Sequence, residues 1–348
     1  MPDSTGFSPL QYAIRLAEAG RVPDALIRFA IRRIVGDRAR SEARQARTTR
    51  EFAEEMASQP VAIATAEANE QHYEVSPAFF ETVLGPRLKY SCADFSNGVR
   101  DLATAEDQML ALSCKRAGLQ DGMRVLDLGC GWGSMSTWIG EHYPGCQVLA
   151  VSNSSAQRAF ILDRCAKRGL DQIDVITANA ATLELEGSQF DRVISVEMFE
   201  HMRNWPELYR RIDRWLAPGG RFFQHVFCHR EHPYFFEDDG EADWMARNFF
   251  SGGIMPSRDL PSAIEGPLEV ERSWCVGGQH YAQTSRAWLE QLDDHRAEVL
   301  EALVTHPDGP QVALQRWRLF FMACEELFGF REGNEWFVGH YRLKSSGS

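Results

Sequence analysis

A chain of 348 residues exceeds the usual single-domain length, so one enlarged domain or two domains is the starting expectation. With 44% hydrophobic residues and 11% aromatics it has the material for a large core, which excludes a disordered chain. A net charge of −12 sets nucleic acid aside as a partner, because phosphate recognition needs a basic face.

The charge is uneven: residues 1–50 carry ten arginines against five acids, a local net of +5. Residues 8–56 read as helices, with Leu26, Ile27, Ala30, Ile31 and Ile34 at helical spacing beside Arg28, Arg32 and Arg33. A basic amphipathic stretch of this kind can lie on an anionic membrane surface. The plainer expectation is an arginine face in solvent on a helix packed against the core or a second subunit, a homodimer contact. Residues 57–122 read as a helical entry to a sheet.

From residue 123 strands and helices alternate. MRVLDLG is a buried strand, Trp132 to Tyr143 a helix, CQVLAVS a second strand and Ser155 to Arg168 a helix. QIDVITA and FDRVISVEM are the third and fourth strands. Asn204 to Leu216 is a helix closed by the turn Pro218-Gly219-Gly220, and RFFQHVF is the fifth strand. Residues 229–265 break the rhythm and read as an insertion covering a site. LEVERSWCV is a sixth strand, Thr284 to Phe328 a helical pair and EWFVGHYRL the closing strand. Strands separated by helices imply an α/β fold with a seven-stranded, mostly parallel, Rossmann-like sheet. The expected division is a helical region 1–85 and a cofactor-binding domain 86–348 with its cover at about 229–265.

Eight cysteines without a CxxC pair read as reduced thiols of a cytoplasmic protein, not a disulfide frame or a zinc site. No signal-peptide pattern opens the chain, and no run reaches the roughly 18 apolar residues of a membrane span. Stable membrane insertion is therefore not expected. Nor is a metal: no HxxxH pair falls on an expected helix, and His229 and His232 read as part of a polar lid.

The turn after the first strand is Asp127-Leu128-Gly129-Cys130-Gly131-Trp132-Gly133. Glycines there permit a tight strand-to-helix turn and a close ligand approach to the backbone. A dinucleotide site would show GxGxxG and an acid about 20 residues on. Here the pattern is GxGxG, the second strand ends at Asn153, and the acid precedes the glycines as Asp127. This disfavours a nicotinamide oxidoreductase and suits a ligand with an amino-acid ammonium. A non-catalytic scaffold with the same pocket is the other alternative.

VLDLGCGWG, with YSC at Tyr90 to Cys92 and SVEMFEHM at Ser195 to Met202, resembles the cyclopropane-fatty-acid-synthase branch of S-adenosylmethionine-dependent methyltransferases. Within it the chain is most similar to the coclaurine N-methyltransferases, through FFSGGIMPS, GGQHYAQTS, FFMACEELFG and GNEWFVGH. The resemblance implies a class I methyltransferase using S-adenosylmethionine, with Tyr90, Ser91, Gly129, Gly131 and Gly133 along the cofactor. Asn153 and Gln157 fall at the ribose, and Asn179 at the adenine, where the family usually has Asp. It further implies a small aromatic amine substrate such as a tetrahydroisoquinoline or phenethylamine, with Glu197 as ammonium anchor and Glu200 with His201 as base. Glu74, Tyr281 and Trp336 fall on the acceptor, with Glu335 and His340 nearby. Tyr73, Phe80, Trp244 and Phe249 could add aromatic wall. Helix capping by Glu200 and His201 is the plainer alternative for that pair.

The competing reading within the same branch is lipid cyclopropanation, which uses bicarbonate held by Cys, Glu, His and Tyr. Cys92, Glu200 and His225 match three of these, but the Tyr position is Phe320, and Glu197 stands where the lipid enzymes usually have Gly. Both departures favour an amine, and Cys92 and His225 are then open to a packing role.

Overall fold

In the computed structural model, residues 8–44, 47–63, 75–185, 187, 189–237, 244–249 and 252–347 are described. Three helices open the chain: α1 (Pro9–Glu18), α2 (Asp24–Glu42) and α3 (Thr49–Met56). The entry segment holds two helices, α4 (Pro77–Val83) and α5 (Leu102–Ala117), separated by an extended loop. Asp101 caps the start of α5 through the Thr104 amide, and Gly118 ends it with φ +67°, the left-handed stop a glycine takes without strain.

Next come β1 (Arg124–Leu128), α6 (Ser134–His142), β2 (Gln147–Ser152), α7 (Ser155–Arg168), β3 (Ile173–Thr177), β4 (Phe190–Val196), α8 (Trp205–Trp215) and β5 (Leu216–His229). The insertion contributes a small ribbon, β6 (Tyr234–Phe235) and β7 (Ile254–Met255), with α9 (Trp244–Phe249) and α10 (Leu260–Ala263). The chain closes with β8 (Leu268–Val276), α11 (Gly278–Asp294), α12 (Arg296–Ala302), α13 (Pro310–Gly329) and β9 (Trp336–Ser345).

The seven-stranded sheet runs β3-β2-β1-β4-β5-β9-β8, with β9 antiparallel to both neighbours and β1 to β5 mutually parallel. The strand order reverses between β1 and β4, and the crevice at such a switch point is where an open α/β sheet binds its ligand. One packed layer sets Leu110, Met135, Ile139, Ile161 and Val148 together, and another sets Leu208, Tyr209, Ile212 and Phe222 together. A third cluster, rich in aromatics, joins Phe79, Phe80, Trp288, Trp317 and Phe321. Each fully buried aromatic contributes roughly 2–3 kcal/mol from apolar area alone.

Four expectations are revised. The turn Pro218-Gly219-Gly220 lies inside β5: Leu216 already pairs with Phe190, and the ladder resumes at Arg221 opposite Arg192 after a register shift that Gly219, at φ +77°, accommodates. The helical pair is three helices, because His295 leaves helical geometry and the Gly309-Pro310 pair starts a new helix. The fourth strand stops at Val196, since Glu197 turns into the left-handed region at φ +49°. The N-terminal arm follows the expected arrangement only in part: Ile27 and Val35 are buried in the core and Arg32 is exposed, but Arg28 and Arg32 pair with Glu325 and Glu326 of α13, and Leu26 and Phe29 stay 60% and 66% exposed.

Candidate functional site

The three loop glycines have φ of +85°, +52° and +79°, a run that L side chains adopt only at a cost. A Cβ at Gly129 would also lie 2.5 Å from Met198, and one at Gly133 2.8 Å from Ile161. The loop therefore stays thin where β1 passes into α6. Around it lies a cleft lined by Lys89, Tyr90, Ser91, Asp127, Gly129, Gly131, Trp132, Ser134 and Glu197. The cleft measures about 70 Å³; Asn153 and Asn179 are not among its lining residues and fall just past the ends of β2 and β3.

Asp127 is buried under the loop, takes the Ser136 hydroxyl at 2.5 Å, and is pushed up to about 6 by burial. An ammonium arriving in the cleft would favour its ionised form. Trp132 Nε1, Ser134 Oγ and Gln157 Nε2 are buried without a hydrogen-bond partner, donors that a polar ligand would satisfy. Gln157 also accepts from Ser152 Oγ at 2.7 Å, and the Asn179 carboxamide accepts from the Ala181 amide at 2.9 Å, a local turn contact. The loop after α4 carries Lys89, fully buried, whose ammonium donates to Ser91 Oγ at 2.5 Å and to the Cys92 carbonyl at 2.7 Å. Sequence reading passed over Lys89, Trp132 and Ser134; their one signal was position beside YSC and inside the glycine loop.

At the carboxyl end of β4 stand two glutamates three residues apart, in opposite surroundings. Glu197 Oε1 accepts from the Cys92 amide at 2.9 Å and lies 3.0 Å from His225 Nε2, and Oε2 accepts the Tyr281 hydroxyl at 2.5 Å. Hydrogen bonds to a charged group contribute about 1.5–3 kcal/mol each. A non-glycine residue in this backbone region costs about 1–3 kcal/mol, so the three contacts outweigh the strain. Burial raises Glu197 above the ordinary carboxylate range, opposed by the Lys89 charge, the Tyr281 hydroxyl and the Cys92 amide.

Glu200 is fully buried on a one-turn 3₁₀ helix, Phe199–His201. Oε1 accepts from the Phe227 amide at 2.7 Å, whereas Oε2 has no hydrogen-bond partner. Burial, with the Glu197 charge nearby, drives its pKa well above the usual range. Both carboxyls are thus raised in proton affinity, Glu200 the more strongly. Neither Glu200 nor His201 caps the next helix; Asn204 does, through the Glu207 amide. His201 is half-buried, and its charge favours ionised Glu197. The insertion reaches this point: a Cβ on Gly253 would meet the Glu200 carbonyl at 2.6 Å.

Aromatic rings pack beside Glu197, through Tyr281, and in a cluster of their own. Tyr281 stacks on Phe328 at 4.2 Å, and Phe320 stacks on Phe249 at 4.1 Å beside Trp317 and Phe321. Phe80 packs against Trp132 and Tyr90. Trp244 donates its ring N–H to Glu18 of α1. Trp336 is not brought to the Glu197 group. It pairs with His229, four residues along β5 from His225, roughly 13 Å at 3.3 Å per residue, and is fully buried with its ring N–H on Tyr234. Glu335 lies 3.4 Å from His229 and pairs with Arg331, and His340 lies behind His225. Tyr73 and Glu74 lie outside the described residues. Among the described residues no group of three or more His, Cys, Asp or Glu is arranged to hold a metal, and no helix is long and apolar enough to cross a membrane.

Residues 62–336 match the family model of the mycolic acid cyclopropane synthetases. The chain belongs to that family. It is 35% identical over 283 residues to the (S)-coclaurine N-methyltransferase of Thalictrum flavum subsp. glaucum, covering 79% of this chain and 78% of the relative. It is 32% identical over 272 residues to the cyclopropane-fatty-acyl-phospholipid synthase of Escherichia coli K12, covering 77% and 66%. A crystal structure of coclaurine N-methyltransferase bound to N-methylheliamine and S-adenosylhomocysteine superposes with a TM-score of 0.92 at 29% identity, covering 97% of this chain and all of that one. The enzyme is a class I methyltransferase and uses S-adenosylmethionine. Within this family Cys92 and His225 were open to a packing role. The structure instead directs the Cys92 backbone amide and the His225 imidazole at Glu197, while the Cys92 thiol turns to the Ala93 carbonyl at 3.3 Å.

Proposed function

We propose that this methyltransferase alkylates the nitrogen of a small aromatic amine of the tetrahydroisoquinoline or phenethylamine class, with Glu197 as anchor for the ammonium and Glu200, assisted by His201, as base. One observation carries the reading: a buried carboxylate held by three donors stands beside a second carboxyl of high proton affinity, with aromatic rings packed alongside through Tyr281. S-adenosylmethionine supplies a methyl group on a sulfonium, electrophilic without further activation. The chain must hold the amine in line, take its proton and keep water out. Glu197 attracts the cationic amine; Glu200 presents an unpartnered oxygen to accept the proton; Tyr281, Phe328, Phe320 and Phe249 exclude solvent and suit a ring-bearing substrate. The Glu197 carboxylate occupies the Cys92 amide and His225 that a small anion would otherwise take, which supports an amine over a lipid double bond.

Tyr90, Ser91, Asp127, the three glycines, Asn153, Gln157 and Asn179 form the cofactor side of this proposal, and Tyr281 the acceptor side. Trp336 and Glu74 complete the acceptor group on resemblance alone. The eight unpaired cysteines support a reducing, cytoplasmic setting, and the exposed apolar side of α2 supports a homodimer.

Labelled S-adenosylmethionine offered with tetrahydroisoquinolines, phenethylamines and unsaturated phospholipid vesicles tests the substrate class. Label on an amine is the expected result. Label confined to lipid would replace this function with cyclopropanation.

A further inference from the structure

Behind Glu197 a row of side chains crosses the sheet. Strand pairing sets Val196 opposite His225, His225 opposite His340, and His340 opposite Trp274. The polar atoms of this row form a continuous chain: Arg116 Nη1 lies 2.8 Å from His340 Nδ1, His340 Nε2 lies 2.9 Å from His225 Nδ1, and His225 Nε2 lies 3.0 Å from Glu197 Oε1. Both imidazoles are fully buried, and Arg116 enters from the last turn of α5, its guanidinium 5.3 Å over the Trp274 ring.

We propose that Arg116 is a positioning residue that acts through His340 and His225 to fix Glu197 as an ionised, correctly aimed carboxylate. This deepens the amine-methylation reading and rests on it for the role of Glu197. A guanidinium only donates. His340 Nδ1 must therefore present its lone pair, so its proton sits on Nε2 and is donated to His225. His225 Nδ1 is then the acceptor, its proton sits on Nε2, and that proton is donated to Glu197 Oε1. Two neutral imidazoles in series have two self-consistent settings, all protons toward Glu197 or all away. The second needs an acceptor at the outer end, which arginine is not. It would also turn a lone pair on Glu197 and require that carboxyl to carry a proton, leaving no charge for an amine.

Burial holds both imidazoles neutral, with the Arg116 and Lys89 charges acting in the same direction. The other groups bearing on Glu197 are Lys89, the Cys92 amide and thiol, Tyr281, Glu200, His201 and the Cys324 thiol. Of these, Lys89, the amide, Tyr281 and His201 favour the ionised form, and none of them determines which histidine nitrogen faces it. The row is closed to proton export because arginine cannot accept, so the substrate proton leaves by the Glu200 side.

The test is ¹⁵N-histidine NMR on the whole enzyme, with Arg116→Lys, Arg116→Met and Arg116→Glu compared with the parent. The parent and Arg116→Lys should show His225 and His340 both as the Nε2–H tautomer. Arg116→Glu, which accepts at the outer end, should convert both to Nδ1–H. Its KM for the amine should rise at least tenfold, and the acid limb of its kcat/KM profile should move up by about one pH unit. Its affinity for S-adenosylmethionine should stay within threefold. Arg116→Met should give mixed tautomers and an intermediate KM, and it carries the test should Arg116→Glu not fold. Nδ1–H forms in the parent, or Arg116→Met with parental tautomers and pH profile, would overturn the proposal. The tautomers are read without substrate, so failure of the amine assignment would leave this result standing, and the reverse holds too.

Discussion

Glu197 and Glu200 sit on one short stretch, yet the backbone turn at Glu197 sends one into a nest of donors and the other into an apolar wall. A base is useful when deprotonated, so activity should rise with pH through the raised Glu200 ionisation. The acid limb of kcat should therefore lie above the ordinary carboxylate range. Glu200→Gln should lower kcat by roughly 10²-fold or more and abolish that limb; a variant that retained both rate and limb would remove Glu200 as base. Glu197→Gln keeps the shape but loses the charge, so KM for the amine should rise steeply while calorimetric affinity for S-adenosylmethionine stays within threefold. The glycine loop and the carboxylates were legible in the sequence because their chemistry is local: GxGxG and ExxEH are contiguous. Arg116 was not, because it is one arginine on an amphipathic helix and its partner lies 224 residues away. Lys89 was likewise hidden, since a buried lysine is invisible until the donors and acceptors around it are placed.

At the scale of elements, the cofactor side depends on a loop between α4 and α5 that has little regular structure of its own. Glu106, fully buried on α5, holds it by accepting from the Arg87 amide at 2.9 Å and the Lys89 amide at 3.3 Å, and Gly85 passes so close that a Cβ would lie 2.5 Å from the carboxylate. Burial raises Glu106 to about 7. A carboxyl whose folded pKa is raised contributes stability that is fully present below its unfolded value and lost as pH climbs through the folded one. The stability difference between parent and Glu106→Gln should therefore change between about pH 4.5 and 7, by roughly 3 kcal/mol at most. Over that window the parent should lose ground to the variant. Denaturant melts at several pH values would show it, and a difference independent of pH would mean that Glu106 is ionised throughout. The strand–helix alternation was readable because parallel strands are continuous apolar runs bounded by helix caps. The bulge at Gly219 and the end of β4 at Glu197 were not, since both are set by pairing with a neighbouring strand and by side chains from distant elements.

On the whole molecule, the N-terminal arm is fastened to the long helix α13. Arg28 pairs with Glu325 and Glu326, Arg318 with Asp24 and Asp293, and Arg316 with Glu18, all on or against α13, whose opposite side presents Phe320, Cys324 and Phe328 inward. The amphipathic pattern of α2 announced a helix with two unlike faces, but not that Arg28 and Arg32 would be paired, because the glutamates that neutralise them are some 300 residues downstream. Part of the apolar surface is left over: Tyr12, Leu26 and Phe29 are 60% or more exposed, beside an apolar groove of about 250 Å³ between the arm and α13. Exposed aromatics of this size beside an apolar groove mark a contact surface, and a second copy of the chain, through an isologous pairing, satisfies both arms at once. Sedimentation velocity should give the parent as twice its 39.4 kDa chain mass. Phe29→Glu should return the monomer, because a charge at the centre of an apolar contact is desolvated without a partner. Since Phe29 points away from α13 and from the Glu18–Trp244 contact that ties the arm to α9, the monomeric variant should keep kcat within about twofold while its Tm falls. A parent that sediments as a monomer over the same concentrations would leave the apolar side of α2 without a partner copy and reassign it to another surface.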